Sequence, residues 1–456
     1  MKVCFVYPDI EGAAVYGAKK FYHGIGYLSS VLKQAGHATA LIYLQAEVSR
    51  SDFLARVAAT SPDLVAFSST TNQFPFVRAW SAWLKECMPR VPTICGGAHP
   101  TLAPEKVIAE PGIDMLCVGE GEIPLRELVA GLEKGGDVTA IRNLWLKQDG
   151  QVIRNPLRPL LNLDDLPFPD REIFGFEQIL RDNDGWVDLM AGRGCPYECS
   201  YCCNPGLKRT YRGLGAYTRN RSVANVMAEV RELATRYGVK TLNFQDDVFT
   251  LDHEWTQEFC RAYRGSFSLP FWINTRVERI RDEEVVGSLA EAGCRGVRIG
   301  LESGNEGLRR DILKRKMSNE DIVRVFRLAQ KHGLATYTCN MIGIPGETPA
   351  MMQETIDFNR RLAPTSLQFS VFYPYPMTEL HDVCIQNGYY GDGENVPTYY
   401  GRTSLLHMPQ LSQEAISGGY DRFAQLKHEL ETDHHDRWRY RLSRLLDRIL
   451  AMPNGQ

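Results

Sequence analysis

Short apolar runs alternate with longer amphipathic stretches along most of this chain, and that alternation restricts it to parallel βα architectures. Five runs fall early: Lys2–Tyr7, Thr39–Leu44, Leu64–Ser68, Val91–Cys95 and Met115–Val118. Their near-continuous apolar character suits strands covered on both faces, with helices such as Gly26–Ala35 and Phe76–Met88 between them. Six more follow: Val187–Ala191, Thr241–Gln245, Phe271–Thr275, Gly296–Gly300, Thr336–Ile342 and Leu367–Phe372. Helices Val223–Tyr237, Asp282–Ala292 and Ser318–His332 separate some of these. Six βα units are too few for a closed eight-stranded barrel, so the second series predicts a partial, open (βα)6 barrel. The expected organisation is a parallel-sheet domain over 1–131, a connector over 132–186, a barrel over 187–380 and a mostly helical segment over 381–456. The connector holds a hairpin, Asn143–Lys147 and Gln151–Arg154 about the turn Gln148-Asp149-Gly150, then the proline-rich crossing Leu163–Pro169. The last segment reads as two helices, amphipathic Gln413–Glu431 and basic Arg437–Ala451.

Composition excludes several classes. At 44% hydrophobic, 23% charged and net charge −3, the chain offers no electrostatic case for nucleic acid or an anionic membrane. No apolar run approaches a membrane span, and Met1–Asp9 reads as a buried first strand rather than a signal peptide. No G-x-G-x-x-G follows that strand, which argues against a dinucleotide. Twelve cysteines without a disulfide-framework spacing point to a reducing, cytoplasmic setting. Cys4, Cys87, Cys95, Cys117, Cys260, Cys294, Cys339 and Cys384 are scattered, and core packing is the default for each.

The other four lie in one run, Cys195-Pro196-Tyr197-Glu198-Cys199-Ser200-Tyr201-Cys202-Cys203, directly after the first strand of the second series. Three thiolates on one short loop can hold three irons of a [4Fe–4S] cluster and leave the fourth iron open. A half-built zinc site and buried packing cysteines are the alternatives, but zinc normally takes four ligands and no second pair lies nearby. Both C-x3-C-x2-C and C-x3-C-x3-C spacings are present, so Cys195, Cys199 and Cys202 are the favoured ligands and Cys203 is the alternative third. Later strands end in groups able to bind a polar ligand: Asp246 and Asp247, Thr275 and Arg276, Glu302, and the turn from Gly343 and Ile344 to Thr348-Pro349. Thr348-Pro349 itself predicts a helix N-cap and first-turn proline.

The cysteine run and these strand ends resemble the radical S-adenosylmethionine (SAM) superfamily, in which SAM chelates the open iron. With the first domain, the chain is similar to the subfamily carrying an N-terminal cobalamin (B12)-binding domain. That part of the resemblance rests on His23–Leu28, the Ser68–Thr71 loop, Gly96–Thr101, Gly119-Glu120-Gly121-Glu122 and Leu163–Pro169. The implied fold is α/β: a Rossmann-like parallel sheet, a partial TIM-like barrel and a short helical tail. The implied SAM contacts are Tyr201, flanking the adenine, with Asp246, Asp247, Arg276, Glu302, Gly343 and Ile344. The implied cobalamin contacts are Ser68, Thr70, Gly96 and Gly97, at the carboxyl ends of the sheet strands. There is no D-x-H-x-x-G run, so cobalamin would lack the histidine ligand of that motif. A domain that keeps the fold without the cofactor is the alternative.

The resemblance implies reductive cleavage of SAM to a 5′-deoxyadenosyl radical, which takes hydrogen from an unactivated carbon of a small biosynthetic substrate. An electron donor such as flavodoxin, ferredoxin or a dedicated reductase is implied with it. Cobalamin-dependent C-methylation is the leading reaction. Radical dehydration or deoxygenation of a sugar diol, as in aminoglycoside deoxygenases, and oxidative cyclisation of a porphyrin-type substrate are alternatives. A cobalamin or redox sensor is the non-enzymatic one. An aromatic stretch from Tyr389-Tyr390 to Tyr399-Tyr400 reads as core or pocket lining.

Overall fold

The computed structural model describes residues 1–10, 18–280, 282–390 and 401–450, with side chains described as far as 433. The first series of runs forms a seven-stranded sheet. Its strands are β1 (Lys2–Pro8), β2 (Ala38–Leu44), β3 (Leu64–Ser68), β4 (Thr93–Gly96), β5 (Met115–Cys117), β6 (Leu144–Gln148) and β7 (Gln151–Arg154). The order is β2-β1-β3-β4-β5-β6-β7. Strands β1 to β5 pair in parallel, while β6 and β7 extend the edge antiparallel. The first five strands thus have the doubly wound order 2-1-3-4-5, which places its topological crevice at the carboxyl ends of β1 and β3. The predicted hairpin forms, but as two strands of this sheet rather than part of a separate connector. Leu144 and Leu146 are buried while Lys147 and Gln148 are exposed, which suits a half-covered edge hairpin. Asn143, expected in that strand, lies before it with φ +74°. The core is apolar and close-packed: Val6, Val65, Phe67, Trp80, Leu84 and Leu116 are all buried, and Trp80 stacks on Phe53.

The second series gives β8 (Trp186–Leu189), a two-residue ladder of β9 (Gly192–Arg193) and β10 (Arg219–Asn220), then β11 (Thr241–Phe244), β12 (Phe271–Thr275), β13 (Cys294–Glu302), β14 (Ala335–Ile342) and β15 (Ser366–Val371). Apart from the ladder they form one six-stranded sheet in sequential order, β15-β14-β13-β12-β11-β8. With helices in the connections, this is the strand order of a partial (βα)6 barrel. The predicted cap at Thr348-Pro349 forms, and a second helix is capped as well. Ser318 and Asp321 form a reciprocal capping box before Asn319–Lys331. Thr348 caps Pro349–Leu362 by accepting from the Met351 amide, with Pro349 in the first turn.

The chain divides into two compact units. One comprises Met1–Phe249, Glu254–Phe271 and Pro374–Thr398; the other comprises Thr250–His253, Trp272–Tyr373 and Tyr399–Gln456. The cysteine run therefore belongs to the same unit as the N-terminal sheet. The two helices expected at the end are one, Gln413–Leu450, and the side chains of its basic part lie outside the described residues. Of the aromatic stretch beginning at Tyr389, residues 391–400 also lie outside them. Among the described residues, no helix is long and apolar enough to cross a membrane.

Candidate functional site

The cysteine loop is held from several sides within its unit. Asp246, just past β11, accepts a hydrogen bond from the Ala191 amide at 3.0 Å and fixes the exit of β8. Burial pushes its carboxyl up to about 7 against the opposing effect of these backbone donors. Ladder β9–β10 leads directly into Cys195, with Gly194 at φ +86°; a Cβ there would lie 2.5 Å from the Tyr217 carbonyl oxygen, so glycine is required. Leu380 donates its amide to the Ser200 carbonyl at 3.0 Å. Cys195 and Cys199 are buried; Tyr201, Cys202 and Cys203 are half-buried.

The neighbouring cysteines are chemically unequal. Cys202 Sγ accepts from the Asn204 backbone amide at 3.5 Å and from Asn204 Nδ2 at 3.6 Å. The hydrogen bond from the Cys203 thiol, supported by these amides, draws Cys202 down to about 7, while the same bond and burial push Cys203 up. Cys202 is thus the sulfur of the pair that gathers the N–H donors, the environment that favours a thiolate. Among the described residues, no three His, Cys, Asp or Glu side chains converge as ligands of a single ion. Thiolates bound to three different irons need no such convergence. Cys87 departs from the core expectation for the remaining cysteines: it is exposed, with an Arg50 Nη2 donor 3.2 Å from its sulfur. Cys339 is half-buried, and the other six of that group are buried.

The loop is also tied by charge to the turn after β5. Arg193 donates to Glu120 at 3.0 Å and to Glu122 at 2.6 Å. Arg219, its cross-strand partner, donates to Glu120 at 2.6 and 3.3 Å and to the Leu161 carbonyl at 2.6 Å. The Glu120 amide donates to Tyr211 Oη at 2.6 Å. Gly119, at φ +86°, lets that tyrosine approach; a Cβ would stand 2.2 Å from the hydroxyl. The two guanidinium groups hold Glu120 below the usual carboxylate range despite its burial.

Beside this network lies a cavity of ≈ 240 Å³ at the carboxyl ends of β1, β3, β4 and β5. Phe5, Leu28, Phe67, Ile94 and Leu125 make its lining mainly apolar, and Ser68, Gly96, Gly97, His23, Glu120, Glu122 and Arg193 also line it. Gly97 has φ +108°, and a Cβ there would meet the Ser69 carbonyl at 2.7 Å. Glu122 is buried, and its Oε2 has no hydrogen-bond partner in the protein. An orphaned carboxylate oxygen is costly unless a ligand donates to it. His23 Nε2 lies 3.2 Å from the Asp188 carbonyl, which can only accept, so Nε2 carries the proton. Burial lowers His23 to about 4 and keeps the ring neutral.

Of the residues singled out from sequence, Ser68, Gly96 and Gly97 thus line one cavity, whereas Thr70 is not among its lining residues and donates its amide to Gln73. Cys195, Cys199, Cys202, Tyr201, Asp246 and Asp247 fall in the same unit. Arg276, Glu302, Gly343 and Ile344 fall in the second. There Arg276 is buried and paired with Glu278 at 2.6 Å. Glu302 adopts φ +66°, a conformation uncommon for a non-glycine residue, with Arg315 Nη1 3.8 Å away. The Gly343 and Ile344 amides donate to Glu347 at 2.6 and 3.3 Å, so carbonyls and Cα atoms, rather than these N–H groups, are left for a ligand. Asn204, Tyr217, Glu120, Glu122, Arg193 and Arg219 were not singled out as site residues. The G-E-G-E run after a strand was the one signal that pointed to the glutamates.

Residues 189–358 match the Radical SAM superfamily, and residues 14–129 match the B12 binding domain. The chain thus carries a radical SAM domain with a B12-binding domain ahead of it in the sequence, the domain pair of a radical SAM enzyme. It is 29% identical over 392 residues to an uncharacterized methyltransferase of Pyrococcus horikoshii, covering 85% of this chain and 84% of that one. It is 26% identical over 393 residues to the anaerobic magnesium-protoporphyrin IX monomethyl ester cyclase of Rubrivivax gelatinosus, covering 83% and 69%. Its fold is similar to that of the radical SAM methyltransferase TsrM from Kitasatospora setae, solved with cobalamin and a [4Fe-4S] cluster, with TM-score 0.67, 21% identity and coverage of 85% and 78%. The two domains imply a [4Fe–4S] cluster, SAM and cobalamin. The chemistry of the residues suits these groups: soft thiols on one loop for the cluster, and a largely apolar, glycine-floored cavity whose ≈ 240 Å³ would take part of a corrinoid.

Proposed function

We propose that this protein is a cobalamin-dependent radical SAM methyltransferase that methylates an unactivated carbon of a small molecule. The observation that carries this reading is the cavity with the orphaned Glu122 oxygen, joined within one compact unit to the cysteine loop through Arg193. When bound, the cluster and SAM supply a carbon-centred oxidant of C–H bonds and cobalamin supplies a methyl carrier. Cys195, Cys199 and Cys202 hold the cluster, and Tyr201 gives SAM an apolar flank. Ser68, Gly96, Gly97 and Glu122 hold the corrinoid. Arg193 keeps the cluster loop and the corrinoid cavity in fixed register. A flavodoxin, ferredoxin or dedicated reductase supplies electrons.

The relationship to a cyclase favours oxidative cyclisation as the second reading. Product analysis under anaerobic, reducing conditions separates them. Methylation yields S-adenosylhomocysteine together with 5′-deoxyadenosine. Cyclisation or sugar-diol elimination yields 5′-deoxyadenosine without S-adenosylhomocysteine, and that result would overturn the methylation reading.

A further inference from the structure

Asn204 immediately follows the two adjacent cysteines and is buried. Its side-chain amide has only one orientation that its surroundings permit. Tyr217 Oη lies 2.7 Å from Oδ1 and donates to it. Nδ2 then faces two acceptors, Cys202 Sγ at 3.6 Å and Asp247 Oδ2 at 3.2 Å. The flipped amide would set its carbonyl oxygen against a carboxylate and a cysteine sulfur and would lose both of these donor contacts. The Asn204 backbone amide adds a second donor to the same sulfur at 3.5 Å. Two N–H groups therefore address Cys202, one fixed by the backbone and one aimed by Tyr217.

We propose that Asn204 is a positioning residue that raises the reduction potential of the cluster through Cys202, with Tyr217 locking its amide toward the sulfur. The proposal rests on the reading that Cys202 is a cluster ligand. Hydrogen bonds to a ligating sulfur withdraw electron density from iron and stabilise the added charge of the reduced cluster. The enzyme depends on an electron reaching that cluster, so a potential held too low would starve it at the first step. Asp247 shares the same amide, so a charge there competes with the sulfur for one donor.

The test is an EPR-monitored redox titration of anaerobically reconstituted protein, without SAM or cobalamin, in wild type, Asn204→Ala and Tyr217→Phe. Iron and sulfide content and circular dichroism serve as loading and folding controls. The expected result is full loading with a midpoint potential shifted to more negative values. The shift is larger in N204A, which removes the side-chain donor, and smaller in Y217F, which only frees it. If N204A fails to load, Y217F carries the test, because it keeps Asn204 in place. Fully loaded variants with the wild-type potential would overturn the proposal. A Cys202→Ala protein that keeps a complete cluster would overturn the ligand assignment beneath it, a separate failure read by iron content alone.

Discussion

Replacing Glu120 tests whether the cluster loop is anchored to the corrinoid domain. Its carboxylate takes Arg193 at 3.0 Å and Arg219 at 2.6 Å, and its side chain is only 13% exposed. E120Q keeps the shape but removes the charge and turns an N–H group toward the arginines. Breaking one partner of a buried ion pair costs about 3–5 kcal/mol. Arg193 keeps Glu122 and Arg219 keeps the Leu161 carbonyl, so the lower end, about 3 kcal/mol, applies here. At about 1.4 kcal/mol per tenfold, local opening of the loop becomes roughly 100-fold more frequent. Native-state hydrogen exchange reads this directly. Amide protection across 192–202 should fall by about that factor, while strand amides of β1 and β3, away from the anchor, change little. Loss of less than about fivefold in that segment would refute the anchoring argument, because it would mean the pairs are worth no more than surface ion pairs.

Three other outcomes follow from the geometry. Cys202→Ala should abolish cluster loading and Cys203→Ala should preserve it, as read by iron, sulfide and visible absorbance; the reverse pattern would reassign the third ligand. Gly97→Ala should strain a backbone at φ +108° and crowd the Ser69 carbonyl, costing about 1–3 kcal/mol. It should weaken hydroxocobalamin binding at least about tenfold with cluster content unchanged, measured by absorbance titration. Burial pushes Glu347 up to about 8, above its unfolded value of 4.5, so its contribution to stability is full below pH 4.5 and is lost as pH rises through about 8. Glu347→Gln, neutral throughout, should flatten that decline in urea midpoints between pH 5 and 8; parallel curves for the two proteins would contradict it.

Much of the architecture could be read from local pattern because strands buried on both faces carry unbroken apolar runs. Leu64–Ser68 and Phe271–Thr275 have the bounds their sequences predict. Ladder β9–β10 has two residues per strand, too few for any periodicity, yet it carries Arg193 and Arg219. Their shared partner Glu120 lies 73 and 99 residues away in the chain, a relation no local motif encodes. The hairpin of β6 and β7 was legible as a hairpin, but its docking on β5 depends on tertiary packing of Leu144 and Leu146. The cysteines could be recognised by spacing. That Cys202 rather than Cys203 receives the Asn204 side-chain donor depends on where that amide is aimed, and its aim is set by Tyr217 thirteen residues further on.

On this reading one chain holds both a cluster and a corrinoid. The direct measurement is metal and corrinoid stoichiometry of protein purified anaerobically from cells supplied with cobalamin. About four irons and about one corrinoid per chain are expected, with the corrinoid lost in a Gly97→Ala protein that keeps its iron. A fully iron-loaded wild-type protein that retains no corrinoid would contradict it.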